Sequence, residues 1–131
     1  MGSARTYGAG TDLTVVTYAN GLYLSLRAAR LLEERHGISA RVVDLRWLAP
    51  LPVDDVLREA GATGRVLVVD ETRRSGGVSE GVVTALVDEG FTGPIRRVTS
   101  EDSFIPLGDA ALTVLLDEDT IEAAAVDLVQ R

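Results

Sequence analysis

Cysteine and lysine are both absent from this chain of 131 residues, and histidine and asparagine occur once each. Without a thiol there is no cysteine nucleophile, disulfide or thiolate metal site. Without lysine there is no Schiff base and no phosphate-holding lysine of a P-loop. The lone histidine, His36, cannot build a multi-histidine metal centre. It directly precedes Gly37 at the end of a long helical run, where a base complements the helix terminus, so a structural role is expected of it. No apolar run approaches the roughly 20 residues that cross a bilayer. The first five residues lack the apolar core of a signal peptide, so a cytoplasmic protein is expected, without membrane contact. All 13 bases are arginine, against 20 acids, for a net charge of −7. Residues 101–131 hold eight of the acids and one base, which leaves residues 1–100 neutral. An acidic balance with no basic cluster beyond two arginine pairs argues against nucleic acid as a partner.

What is present reads as alternating strands and helices. Residues 13–18 form a β-rich run that ends on the turn signal Ala19-Asn20-Gly21. Leu24, Ala28, Leu31 and Leu32 then take the spacing of a helix with one buried face, over residues 22–36. A strand at 41–45, a Pro-punctuated loop at 46–52 and a short helix at 53–60 follow. Residues 65–70 contain four consecutive apolar residues, the mark of a strand covered on both faces. A helix at 78–89, a strand at 95–99, a loop at 103–108 and helices at 109–116 and 119–130 complete the pattern. Asp117 or Asp119 stands where it would cap the last helix. Residues 1–10 pair as an edge strand or fray, and residues 11–131 make one domain. This order predicts a parallel sheet between two helical layers.

Ligands of open α/β sheets bind beyond the carboxyl ends of the strands, and two kinds of feature fall there. Arg73, Arg74, Ser75, Gly76 and Gly77 lead into a helix N-terminus, where free amides and the dipole favour an anion such as phosphate. The same glycines also serve a plain strand-to-helix turn. On the first reading the chain is a free-standing small-anion binding or regulatory module. Trp47, Leu48, Pro50 and Leu51 in one loop, and Phe104, Ile105, Pro106 and Leu107 in another, either close the core or anchor another subunit. Two apolar loops at one sheet edge favour a contact surface. Asp70 and Glu71 are adjacent on a strand and so point to opposite faces, which excludes a catalytic dyad. No catalytic or metal-ligating residue is expected.

Five runs in order, Thr11-Asp12-Leu13-Thr14-Val15-Val16-Thr17-Tyr18, Ala40-Arg41-Val42-Val43-Asp44-Leu45-Arg46-Trp47-Leu48-Ala49-Pro50-Leu51, Val68-Val69-Asp70-Glu71-Thr72-Arg73-Arg74-Ser75-Gly76-Gly77, Ile95-Arg96-Arg97-Val98 and Phe104-Ile105-Pro106-Leu107, resemble the C-terminal domain of transketolase-like enzymes. They are most similar to the beta subunit of the thiamine-diphosphate-dependent decarboxylating component of 2-oxoacid dehydrogenases, pyruvate or branched-chain. The resemblance implies a three-layer α/β/α fold with a five-stranded, mostly parallel sheet and one antiparallel edge strand at residues 4–7. It implies a parent enzyme that oxidatively decarboxylates a 2-oxoacid and passes the acyl group to lipoyl, with thiamine diphosphate and magnesium as cofactors. For this domain it implies dimer assembly, contact with the remaining domains or an alpha subunit, and docking of the basic subunit-binding domain of a dihydrolipoyl acyltransferase. The family's diphosphate-binding Gly-Asp-Gly motif with its later asparagine is missing. The only glycine pair of that spacing is Gly8-Ala9-Gly10, and the only asparagine is Asn20. No cofactor is therefore expected on this chain alone. Asp70 stands where relatives often carry histidine.

Overall fold

Along each central strand, consecutive side chains fall into two different cores. The computed structural model describes residues 2–73, 75–100 and 117–130. Their elements are β1 (Arg5–Tyr7), β2 (Leu13–Thr17), α1 (Asn20–His36), β3 (Ala40–Asp44), α2 (Val53–Thr63), β4 (Val66–Arg73), α3 (Val78–Asp88), β5 (Ile95–Ser100) and α4 (Glu118–Val129). Val15, Val42, Leu67 and Val69 face α1 and α4, which contribute Ala28, Leu32, Ile121 and Leu128. Val16, Val43, Val66 and Val68 face α2 and α3, which contribute Val56, Ala60, Val82 and Leu86. The strand period of two thus sorts one apolar run between two helical layers.

The sheet order is β1-β3-β2-β4-β5. β1 runs antiparallel to β3, with Arg5 opposite Asp44, and the other neighbours are parallel. This is the five-stranded, three-layer α/β architecture expected, with residues 5–7 as the edge strand rather than a frayed end. At the far side lies β5. Its Arg96 pairs with Asp127 of α4, while Arg97 reaches the Ser79 hydroxyl of α3 at 3.3 Å.

Element boundaries differ from expectation for local reasons. α1 begins at Asn20, so Gly21 belongs to the helix and not to a turn. A Cβ at Gly21 would lie 2.3 Å from the Thr17 hydroxyl, so glycine is what lets the first helical turn lie on the end of β2. α2 runs on to Thr63, with Gly64 at φ 79° closing it. β4 continues past Asp70, with a shift in its pairing to β5 between Asp70 and Arg73. The helix expected at 109–116 and the loop at 103–108 lie outside the described residues.

Candidate functional site

β2 and β4 are neighbours, but the chain leaves β2 toward β3 on one side and β4 toward β5 on the other. Their carboxyl ends therefore flank the switch point where such sheets bind ligands. Tyr18 follows β2 and Asp70 lies in β4. The Tyr18 hydroxyl donates to Asp70 Oδ1 at 2.6 Å. The Thr72 amide and hydroxyl donate to the same oxygen at 2.9 and 2.7 Å, and the Ser79 amide donates to Oδ2 at 2.7 Å.

Asp70 is 1% exposed. Burial pushes its carboxyl up, but the hydrogen bonds from Tyr18, Thr72 and Ser79 outweigh it and hold the group below the usual carboxylate range. Burial and then the bond to Asp70 push the Tyr18 phenol up to about 12. Asp70 is therefore an ionised acceptor and Tyr18 a protonated donor at neutral pH. Neither is set up as a general base. Asp70 thereby fastens the residue after β2 and the first turn of α3 to β4, and the Ser79 amide it holds is one that a bound anion would use.

Of the residues read as an anion loop, Arg73 ends β4 and Arg74 lies outside the described residues. Ser75, Gly76 and Gly77 make the turn, with Gly76 at φ 72° and Gly77 as the N-cap residue of α3. The apolar loop after β3 is exposed. Trp47 is 38% and Leu48 42% exposed, Pro50 is also exposed, and Leu51 is half-buried. Phe104, Ile105, Pro106 and Leu107 lie outside the described residues. His36 ends α1 as expected. There it lies 3.0 Å from Glu122 Oε1, while Arg35 donates to Oε2 at 3.2 Å. No group of three metal-ligating side chains occurs among the described residues.

Gly8-Ala9-Gly10 precedes β2, where Gly10 packs against Ala40, whereas Asn20 opens α1 beyond the other end of β2. These residues stand beyond opposite ends of β2, with no carboxylate between the glycines. They do not fit a metal-bridged diphosphate.

The Tyr18–Asp70 pair has no local signal in the sequence. Both residues end strand-like runs, but only the strand order makes β2 and β4 neighbours. Nor does residue type mark the backbone of two non-glycine residues at this end of the sheet, Ala19 (φ 52°) and Arg46 (φ 63°), a conformation L side chains avoid.

Comparison with known proteins agrees with this geometry. Residues 2–126 match the family model described as transketolase, C-terminal domain. The chain is 36% identical over 128 residues to the pyruvate dehydrogenase E1 component subunit beta of Bacillus subtilis (strain 168), covering 95% of this chain and 39% of that subunit. It is 39% identical over 105 residues to the 1-deoxy-D-xylulose-5-phosphate synthase of Gloeobacter violaceus, covering 80% of this chain and 16% of that enzyme. Among solved structures, a split gene transketolase described as an inactive beta4 tetramer superposes with a TM-score of 0.86 at 30% identity, covering 98% of this chain and 42% of that one. The 2-oxoglutarate:ferredoxin oxidoreductase of Magnetococcus marinus shares the fold alone, at 17% identity and a TM-score of 0.71. The chain therefore spans about two fifths or less of the length of these relatives. Motif order, the β1-β3-β2-β4-β5 sheet and a family match over nearly every residue place the chain in the transketolase C-terminal domain family.

Proposed function

We propose that this domain serves a thiamine-diphosphate-dependent 2-oxoacid dehydrogenase, of the kind whose beta subunit it resembles, and that its own work is association rather than chemistry. The parent reaction is oxidative decarboxylation of a 2-oxoacid with acyl transfer to lipoyl. Thiamine diphosphate and magnesium are held by other domains, and the protein works in the cytoplasm. The observation that carries this reading is the exposed Trp47–Leu48 pair at the carboxyl end of the sheet, where the one buried carboxylate among the described residues, Asp70, is already fully engaged. An edge with a saturated acid and an apolar projection suits contact better than turnover. Its partners are the remaining domains or alpha subunit, a homodimer mate, and the basic subunit-binding domain of an acyltransferase. The test is calorimetric titration of the 131-residue chain with thiamine diphosphate and magnesium. No heat of binding is expected, and micromolar affinity would overturn the reading.

A further inference from the structure

Among the described residues, four large apolar side chains are exposed: Tyr23, Trp47, Leu48 and Val87. Tyr23 and Val87 are single residues on the outer faces of α1 and α3, which is ordinary for a soluble surface. Trp47 and Leu48 are adjacent, and the backbone beneath them is special. The Trp47 amide donates to the Leu45 carbonyl at 2.6 Å across Arg46, whose φ is 63°. A bond between residues two apart around a positive φ is the rare, strained form of γ-turn. Strain of this kind persists where a side chain must be held in one direction. Arg46 has no hydrogen-bond or ion-pair partner among the described residues. An arginine and a tryptophan side by side, projected by a fixed turn, are the residue types that dominate the energetics of protein contacts.

The position of the chain's other end selects the occupant. The Ala4 amide donates to Asp55 Oδ2 at 2.8 Å, and Gly2 and Ser3 share a groove of about 330 Å³ with Leu51 and the first turn of α2. Residues 2–4 thus run beside the segment that directly follows Trp47 and Leu48. In the relatives this domain is the C-terminal part of a subunit more than twice its length, so the polypeptide before it enters at this point.

We infer that the 46–51 loop is the seat of the domain that precedes this one in the parent enzyme, with Trp47 and Leu48 buried in an apolar recess of that domain and Arg46 paired with an acidic group on it. This rests on the proposed assembly role and commits that role to one surface and one partner. Because the two domains meet at a junction a few residues away, a small contact suffices, the second contact being intramolecular.

The chain has no cysteine, so Leu48→Cys supplies a unique thiol in this domain. The variant is compared as the 131-residue chain and as a fusion behind the part of the Bacillus subtilis subunit that precedes the matched region, reading alkylation at position 48 by mass spectrometry. The expected result is labelling slowed at least about tenfold in the fusion, with a Tyr23→Cys control labelled alike in both. Equal labelling at position 48 overturns the inference. Protection that appears in the 131-residue chain alone and grows with its concentration also overturns it, by making a second copy the occupant. Trp47, the only tryptophan, gives a second readout on the unsubstituted 131-residue chain. Acrylamide quenching unchanged on dilution is expected, and quenching that rises on dilution points again to self-association. A fusion that assembles with an alpha subunit yet leaves position 48 open removes this inference and leaves the assembly role standing.

Discussion

At the scale of single residues, the Asp70 carboxylate decides most. Asp70→Ala strands the Tyr18 hydroxyl, the Thr72 amide and hydroxyl and the Ser79 amide together. A loss of about 3 kcal/mol is expected by urea denaturation, since buried donors to a charged acceptor are left without a partner. The pH dependence has a definite sign. With its carboxyl held below the usual range, Asp70 stabilises the fold fully above the ordinary aspartate pKa, and this is lost as pH falls through the lowered value. Asp70→Asn should therefore flatten the acid limb of the stability profile. Tyr18 works on the opposite limb. Its phenol, raised to about 12, contributes stability below about pH 10 that is lost between about 10 and 12. Tyrosinate absorbance, taken as the difference from Tyr18→Phe, should show that titration, and in Asp70→Asn it should move down toward 10. The pair itself was illegible in the sequence, because Tyr18 and Asp70 are 52 positions apart and meet only through strand order. Trp47 and Leu48 could be singled out as candidate contact residues from their place after a strand, although the backbone strain at Arg46 left no trace in residue type.

At the scale of elements, similar-looking ion pairs differ by setting. Arg41 and Glu59 join β3 to α2 at 2.6 Å with side chains 16% and 11% exposed. Burial pushes the Glu59 carboxyl up, but Arg41 and Arg58 outweigh it and hold it low. Glu59→Ala should cost about 3 kcal/mol by leaving Arg41 inside without its counter-charge. Arg30 and Glu34 form an exposed pair one turn apart on α1, and Glu34→Ala should change stability by less than about 0.5 kcal/mol. The start of α4 gives a third case. Asp117 accepts from the Thr120 amide at 2.7 Å, so Asp117→Ala should lose about 1 kcal/mol and Asp117→Asn much less. Helices were readable because apolar spacing and a closing glycine at Gly37 agreed. Their first turns were less so, since Gly21 looks identical in sequence whether it makes a turn or lets a helix press on Thr17.

At the scale of the whole molecule, the net charge changes meaning once the ion pairs are known. Of the eight acids in residues 101–131, Asp117 caps α4, Glu122 holds Arg35 and His36, and Asp127 pairs with Arg96. Charge committed inside the fold steers less than the sequence total suggests. Binding of the proposed partner, a basic subunit-binding domain, measured from low to physiological salt, should weaken with added salt, as expected for an electrostatic contact. The parallel α/β plan was legible from the alternation of runs, whereas the order β1-β3-β2-β4-β5 was not, because nothing in a strand's own residues names its neighbour. β5 closes that order among the described residues, and its two adjacent arginines are turned to opposite helical layers. An outermost strand with a paired arginine on each side is a poor template for another strand to add to. Arg96 and Arg97 stand where gatekeeper residues are placed, and replacing both with valine is expected to raise the light scattering of the chain at a given concentration.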